Sequence, residues 1–353
     1  MKQADIATYR LNRQQLSQHA YKHIADVVKY MGAMQSQDYA AASWALALRL
    51  PGITAADIDA ALANGSMLRT HVLRPTWHFV APQDIRWMIE LTAPRVRMVM
   101  GTNNRKLGLD TKLFSKANKI IVKALQGGQQ LTRPELMPIL YKAKIPTDEN
   151  RFSHILMMAE LEQLICSGGK KGKQFTWALL DDRVPAVKAI SRDKALATLA
   201  ERYFISHGPA TMVDFAWWSG LTLADARSGL EMIKDKLAEE EIDGNTYWMA
   251  PGKVVVNKTL ACLLPAYDEY VVAYKDRSAA AGTHPELSRS NVIFNNTVLM
   301  KGKVTGAWKR SFKKDAVCIE IQPFEKYTKT QQHALEKNCR AYAAFHGMKL
   351  ELL

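Results

Sequence analysis

Two glutamines, Gln35 and Gln37, stand two residues apart in the short polar segment Met34–Tyr39, just after an apolar helical pattern. Side chains at positions i and i+2 share a face on a strand, whereas they lie ~200° apart on a helix. The pair can therefore serve one site from a strand, or from a helix end where the backbone unwinds. Each amide offers one oxygen acceptor and one NH₂ donor group. The segment is either a functional pair of amides or a polar terminus without chemistry.

A second group of polar side chains fills the segment Arg69–His78, which the pattern predicts to be a β-hairpin. Strand alternation places Arg69 with His71, and Thr76 with His78. Such a hairpin could press polar groups against a nucleobase or a phosphate. The alternative is a basic edge hairpin whose histidines bond to backbone carbonyls. The candidate contacts are Arg69, His71, Arg74, Thr76 and His78.

Glycines and lysines separate a short apolar segment from an aromatic one over residues 166–177, which predicts another β-hairpin. Lys170, Lys171 and Lys173 lie at its turn and could bind phosphates. The alternative is a solvated turn.

Two histidines, His19 and His23, have the i, i+4 spacing of helical metal ligands. They lack the glutamate of an HExxH motif, and no third ligand is evident. We interpret them as a solvent-facing pair, and we expect no metal.

The carboxylates of Asp268 and Glu269 are adjacent in a segment rich in charges and aromatic rings. Adjacent side chains diverge on a strand or a helix, so a shared substrate is unfavourable. We expect a structural network with Arg277 or Lys275.

Composition and missing motifs narrow the function. The formal net charge is +14, which favours a polyanion such as nucleic acid as the partner. There is no glycine-rich dinucleotide or P-loop motif and no GxSxG motif, so no nucleotide cofactor is expected. The four cysteines are far apart without a CxxC pair, and neither a signal peptide nor a membrane span of ~18 apolar residues is evident. The expected setting is a reducing cytoplasm.

One arrangement of elements recurs along the chain: three helices followed by a β-hairpin, which is the winged-helix form of the helix-turn-helix. The three copies span residues 6–82, 112–177 and 194–249. In the middle copy, Thr132 and Glu135 have capping-box spacing, and a long helix is expected over Asp148–Ile165. After Lys258, short strands such as Val292–Phe294 and Val298–Val304 precede a helix over Thr328–His346. This predicts an α+β protein that ends in a small β-barrel or sheet with one packed helix.

Several segments, in one order along nearly the whole chain, resemble the AlkZ-type winged-helix DNA glycosylase family. They are Gln35–Asp38, Leu73–His78, His207–Thr211 with Asp214–Gly220, Tyr267–Tyr270 with Tyr274–Arg277, and Gly302–Lys309.

The resemblance implies three tandem winged-helix domains and a C-terminal β-barrel around a concave, basic DNA-binding face. The corresponding domains would be residues 1–110, 111–188, 189–258 and 259–353. It further implies a cytoplasmic, nucleoid-associated monomer that acts on double-stranded DNA without metal or cofactor. The activity would be monofunctional excision of alkylated purines, including N7-alkylguanine and interstrand crosslinks.

The family's catalytic Gln-x-Gln motif maps onto Gln35 and Gln37. Its middle residue is usually hydrophobic, so Ser36 is a departure, and Pro75 stands where many relatives have glycine. N7 alkylation makes guanine a cationic leaving group, so a departing base needs no general acid. Amide oxygens can position the water and stabilise the oxocarbenium-like sugar. For this role we expect both glutamines at the C-terminal end of a helix, with Asp38 binding backbone groups or a water.

A DNA-binding transcriptional regulator without catalytic activity is the alternative, because winged helices are common in such proteins. The tandem copies, the glutamine pair and the terminal barrel favour the enzyme.

Overall fold

The computed structural model describes residues 2–353 except residues 149, 256–259, 283, 285–286 and 288–293. The chain divides into two compact units. The first holds Met1–Ile58, Leu196–Trp218 and Thr222–Leu353, and the second holds Asp59–Ala195 and Ser219–Leu221. Among the described helices, none combines the length and the apolar character that a membrane crossing requires.

The fold is α+β, and its helices alternate with short strands along the chain. The described helices are α1 (Gln3–Arg13), α2 (Ile24–Met31), α3 (Tyr39–Arg49), α4 (Ala55–Asn64), α5 (Ile85–Lys106), α6 (Thr111–Leu125), α7 (Arg133–Lys142), α8 (Arg151–Leu161), α9 (Leu180–Arg183), α10 (Arg192–His207), α11 (Met212–Ser219), α12 (Leu223–Glu231), α13 (Glu269–Val272), α14 (Ser278–Ala281) and α15 (Lys329–Phe345). The described strands are β1 (Ala33–Gln35), β2 (Leu68–His71), β3 (Trp77–Val80), β4 (Leu131–Thr132), β5 (Ile165–Lys171), β6 (Gln174–Leu179), β7 (Ala238–Ile242), β8 (Asn245–Met249), β9 (Ala261–Leu264), β10 (Thr297–Met300), β11 (Lys303–Phe312), β12 (Ala316–Pro323) and β13 (Lys349–Leu352).

In the first unit, the C-terminal strands form one sheet in the order β13-β12-β11-β10-β9. Strands β12 and β13 pair in parallel, and the other neighbours are antiparallel. The closed barrel stays a prediction. Helix α15 begins where predicted, with Thr328 as its N-cap, and Tyr342 from α15 meets the edge of the Trp44 ring at 4.9 Å. The Trp44 indole donates to the carbonyl of Leu263 at 2.7 Å, which fixes α3 against the sheet.

The second unit contains the clearest repeat, with α6, β4, α7 and α8 followed by the β5–β6 hairpin and a sheet in the order β4-β6-β5. The capping box of α7 is confirmed, because the Thr132 amide donates to the Glu135 carboxylate at 2.6 Å. The predicted helix over residues 148–165 is shorter than expected. Helix α8 ends at Leu161, since Gln163 takes a left-handed φ of 58° and β5 starts at Ile165.

Two other predicted elements differ from the structure. Four helices, α1 to α4, precede the β2–β3 hairpin instead of three, and the boundary between the two units falls inside α4. The predicted strand Val298–Val304 is broken into β10 and β11, because Lys301 and Gly302 turn the chain with φ of 50° and 84°. In the predicted strand Val292–Phe294, the first two residues lie outside the described residues.

The turn of the β2–β3 hairpin rests on Gly220, whose φ is +69°. A Cβ at this position would overlap the carbonyl oxygen of Leu73, a backbone atom of the hairpin that cannot move by itself. Gly127 has a similar φ of +73°, but a Cβ there would meet nothing within 4 Å.

We therefore expect Gly220→Ala to destabilise the protein more than Gly127→Ala does. Both variants carry the left-handed strain of ~1–2 kcal/mol, and only the first adds an overpacking term of ~1–3 kcal/mol. Urea-unfolding free energies measured side by side test this. Equal losses in the two variants would show that the hairpin does not depend on the close approach of Gly220.

Candidate active site

The glutamine pair lies between a strand and the start of a helix, so the expected position at a helix C-terminus is wrong. Helix α2 ends at Met31, and Gly32 with a φ of 79° turns the chain into β1, whose last residue is Gln35. Gln37 lies in the bend that follows. A glycine directly after an apolar helical pattern is the usual stop signal of a helix, and it stands three residues before Gln35.

Burial alternates along this segment. Gln35 is partly buried, Ser36 is 0 % exposed and Gln37 is exposed. This is the i, i+2 pattern of extended chain, in which both amides lie away from the core and the middle side chain points into it. Burial of the middle position explains why a hydrophobic residue is usual there, and Ser36 fills it with a small side chain.

Asp38 has the role expected of it toward the backbone. Its carboxylate accepts a hydrogen bond from the Ala41 amide at 3.0 Å and caps the N-terminus of α3. Capping satisfies one of the free N–H groups of the first turn, so the bend that carries Gln37 has a fixed end.

The backbone of Gln35 is held by the carboxylate of Glu269. The backbone N–H of Gln35 donates to Oε1 of Glu269 at 2.6 Å, and the Trp218 indole N–H donates to Oε2 at 3.0 Å. Nε2 of His207 lies 3.5 Å from the same Oε2, at the outer limit of a hydrogen bond. Glu269 is only 1 % exposed. A charge-assisted bond from a buried carboxylate is among the stronger restraints on a peptide N–H.

The neighbouring Asp268 forms a buried ion pair with Arg49 of α3. The guanidinium donates to both carboxylate oxygens, at 2.9 and 2.8 Å, and both side chains are fully buried. Burial alone would lower the pKa of Arg49, but the opposing Asp268 carboxylate raises it above its usual value. The structural network expected for Asp268 and Glu269 is present, but its cation is Arg49 and not Arg277 or Lys275. Arg49 lies 219 positions from Asp268, so local sequence could not reveal the pair.

His207 lies under this network with its ring stacked on Tyr203, at a centroid distance of 5.0 Å. Its Nδ1 lies 2.7 Å from the Ser206 hydroxyl. Burial lowers the pKa of His207, while the Glu269 carboxylate acts in the opposite direction. The net effect is a pKa of His207 below its usual value, beside a buried carboxylate.

The β2–β3 hairpin in the second unit turns most of its predicted contacts inward. His71 is buried, and its Nδ1 lies 2.7 Å from Oε2 of Glu160, which also accepts from the His71 amide at 3.0 Å. The Arg69 guanidinium lies 4.4 Å from the centre of the Trp77 ring. His78 is 0 % exposed, with Nδ1 2.9 Å from the carbonyl oxygen of Thr76, the kind of contact that the structural alternative predicts.

Arg74 and Thr76 lie at the turn of the same hairpin, and both are partly exposed. The turn is closed by the Arg74 amide donating to the Val72 carbonyl and the Thr76 amide donating to the Arg74 carbonyl, each at 2.7 Å. Leu73 takes a left-handed φ of 63° at its start. The Arg74 side chain at the outer end of the hairpin is thus presented by a tightly bonded turn, whereas the hydroxyl of Thr76 is buried.

The three lysines of the β5–β6 hairpin differ in their surroundings. Lys170 donates to both carboxylate oxygens of Asp59, at 2.9 and 2.8 Å, and Lys171 donates to Glu135 at 3.0 Å. The backbone N–H of Thr132, then Lys171, lowers the pKa of Glu135 to about 2. Lys173 lies in the turn itself and is exposed.

The histidine pair His19 and His23 faces solvent, as predicted, but not from a helix. His19 lies in the loop between α1 and α2, and His23 ends this loop as the N-cap residue of α2. No cluster of three or more metal-binding side chains occurs in the described part of the chain. All four cysteines are buried free thiols.

Local sequence left three contributors to these networks unassigned: Arg49, Glu160 and Trp218. Two of them carry a recognisable signal, since Arg49 is the single charge of the apolar helix α3 and Glu160 is the single acidic residue of α8, within a run of buried residues. A lone charge among buried apolar residues is retained when it has a partner.

A family model described as DNA glycosylase AlkZ-like matches residues 28–345, which include both glutamines, the β2–β3 hairpin and the Asp268–Glu269 segment. The chain therefore belongs to the AlkZ-like DNA glycosylase family, and it is an enzyme of the class that hydrolyses N-glycosyl bonds. The regulator without catalytic activity is excluded as its principal function.

Two comparisons with individual proteins agree with this assignment. The chain is 23 % identical over 361 aligned positions to the interstrand DNA cross-link repair glycosylase of Streptomyces sahachiroi, covering 97 % of this chain and 96 % of the relative. The solved structure of the Streptomyces sahachiroi DNA glycosylase AlkZ superposes with a TM-score of 0.80 at 20 % identity, covering 100 % of both chains. The second comparison establishes the fold.

The lowered pKa of His207 predicts a pH dependence of stability. The unfolded chain protonates its histidine near pH ~6.5, whereas the folded protein resists protonation. The unfolded state then binds more protons, so the free energy of unfolding should fall as the pH drops below ~6.5 toward the lowered folded pKa. Burial also lowers the pKa of His154 and His346, which add to the slope.

Urea unfolding between pH 7.5 and 5.5 checks this expectation, with His207→Asn giving a shallower slope than the parent protein. His333→Asn, at an exposed position of α15, is the control and should keep the parent slope. A parent slope in His207→Asn would mean that this imidazole does not resist protonation.

Proposed function

We propose that the glutamine pair carries the hydrolysis, with Gln35 and Gln37 positioning one water and stabilising a cationic sugar. The observation that supports this most is the alternation of burial across Gln35, Ser36 and Gln37, which turns two neutral amides away from the core between β1 and α3. Both ends of the segment are restrained. Glu269 binds the backbone N–H of Gln35, and the Asp38 side chain caps the helix α3 that follows. Catalytic groups need this kind of preorganisation.

The proposed substrate is an N7-alkylated purine in duplex DNA. We include interstrand crosslinks in the proposal, because the similar Streptomyces sahachiroi protein is a crosslink repair glycosylase. The cationic base departs with the electron pair of the C1′–N9 bond and leaves an oxocarbenium-like sugar. Water then adds at C1′ and releases its proton to solvent. Amide oxygens are weak bases, so they support this reaction on an activated base and support hydrolysis of normal nucleosides poorly.

The proposed DNA-binding architecture is three winged-helix domains followed by a barrel, acting as a monomer without a metal. The wing of the middle domain is the β5–β6 hairpin, where Lys173 is the exposed cation and Lys170 and Lys171 already bind carboxylates. Exposed ion pairs of this kind contribute only ~0–1 kcal/mol, so phosphates can compete for the two paired lysines.

The β2–β3 hairpin is proposed to approach the duplex near the lesion through its turn. Arg74 would make the contact, because the Thr76 hydroxyl is buried. Arg69, His71 and His78 support the turn through buried bonds and ring contacts. The predicted set of DNA-binding residues thus divides into contacting and supporting members.

Removing either amide should lower excision of N7-methylguanine from duplex DNA by ~10²-fold or more, a typical loss for one preorganised polar group at a developing charge. Gln37→Asp should retain activity, because a carboxylate can hold the same water. Single-turnover rates at saturating protein measure this, with alkaline cleavage at abasic sites as the readout. Folded Gln35→Ala and Gln37→Ala proteins that excise at the parent rate would exclude the catalytic assignment.

Lys173→Ala should weaken binding to every duplex sequence alike and reduce the slope of log affinity against log salt by ~0.9, because one phosphate contact is lost. The single-turnover rate at saturating protein should stay close to that of the parent. Lys236→Ala, which removes an equal charge from an exposed lysine paired with Glu201, is the matched control. The wing has no special role if both variants change the affinity and the slope equally.

A further inference from the structure

The carboxylate of Glu269 binds directly to the backbone of the glutamine pair. Its two carboxylate oxygens face two different N–H donors, Oε1 the amide of Gln35 at 2.6 Å and Oε2 the indole of Trp218 at 3.0 Å. One carboxylate therefore ties β1 to α11 at the point where β1 ends. The carboxylate is almost fully buried, so it does not exchange these donors for water.

The surroundings keep Glu269 in one position. It is the first residue of α13, directly after Asp268, whose side chain caps this helix and binds the buried Arg49. Its own carbonyl oxygen accepts a hydrogen bond from Gln14 at 3.4 Å. Backbone and side chain of Glu269 are thus both restrained.

We infer that Glu269 is the positioning residue of the catalytic motif, fixing the Gln35 peptide and with it the direction in which the Gln35 side chain leaves the backbone. The inference rests on the proposed function of Gln35. A carboxylate that binds the peptide N–H removes the rotation of that peptide plane, which would otherwise move the amide oxygen away from the water it holds. Misplacement of ~1 Å at a catalytic group can lower a rate by ~10²-fold.

The inference predicts a spectroscopic signature in the parent protein. A short, charge-assisted N–H···O⁻ bond draws electron density from the proton. The backbone amide proton of Gln35 should therefore resonate far downfield and exchange slowly with solvent. In ¹⁵N-glutamine-labelled protein, Gln35→Asn identifies the signal by its loss. Glu269→Gln should move it upfield, because a neutral amide oxygen is the weaker acceptor.

The kinetic test is a double-mutant cycle on duplex DNA that contains N7-methylguanine. Glu269→Gln keeps the shape of the side chain but presents one oxygen and one NH₂ group to two N–H donors, so one of the two bonds must fail. We expect its single-turnover rate at saturating protein to fall by about tenfold or more, with affinity for undamaged duplex unchanged. In a Gln35→Ala background the same substitution should have little further effect, because its influence passes through Gln35.

Asp214→Asn is the matched control. Asp214 is also a buried carboxylate of the first unit, and it accepts from the amides of Thr211 and Lys275 at 3.0 and 2.8 Å. This variant should lose stability as Glu269→Gln does, yet keep the parent excision rate and the parent Gln35 amide signal. The comparison separates loss of stability from loss of position.

A parent rate in Glu269→Gln, or equal rate losses from this substitution with and without Gln35, would overturn the inference while leaving the glutamine mechanism intact. A parent rate in Gln35→Ala would instead overturn the proposed function, and the inference with it. If Glu269→Gln does not fold, Trp218→Phe removes only the second donor. A loss of rate that again depends on Gln35 would then support the inference, and a parent rate with an unshifted Gln35 amide signal would overturn it.

Discussion

The candidate active site depends on one buried ion pair, between Arg49 and Asp268. Both side chains are removed from water, and their two parallel hydrogen bonds supply the geometry that a desolvated pair requires. The pair joins Arg49, the last residue of α3, to Asp268, the N-cap residue of α13. The glutamine segment is restrained by Asp38, which caps the N-terminus of α3, and by Glu269, the first residue of α13. Because the ion pair connects α3 to α13, it sets the distance between these two restraints. Breaking one partner would leave a buried charge without compensation, a loss of ~3–5 kcal/mol in comparable cases.

Each of the two units contains a buried glutamate that accepts a hydrogen bond from a backbone N–H and another from a tryptophan indole. In the first, Glu269 accepts from a backbone N–H and from a tryptophan indole, and Nε2 of His207 lies 3.5 Å from its Oε2. In the second, Glu160 accepts from the His71 amide, from Trp177 at 3.1 Å and contacts the His71 ring. In both cases a buried carboxylate holds a backbone N–H next to residues that we assign to the reaction or to DNA. Loops that carry function are otherwise mobile, and a buried acceptor fixes one point of them without adding bulk at the surface.

The use of amides instead of carboxylates at the reacting position is consistent with the proposed substrate. A strong general base is unnecessary where the leaving group is already cationic, and its absence limits reaction on undamaged bases. In the proposed mode of binding, the net positive charge would supply affinity for DNA without discriminating sequence, since phosphate contacts carry no base information. Selectivity for damage would come from the reactivity of the base.

Sequence by itself determined the α+β class, the start of α15 at Thr328, the capping box of Thr132 and Glu135, and both basic hairpins. These features follow from local periodicity and turn chemistry, which act over a few residues. It also singled out Gln35 with Gln37 and the Asp268–Glu269 pair as unusual. Tertiary structure decided where these groups lie. It placed the glutamines after a strand instead of at a helix end, turned His71 and His78 inward, and gave Asp268 a cation 219 positions away. The physical reason is that a buried charge is stabilised by whichever partner the packing brings to it, and packing joins residues whose distance along the chain carries no local signal.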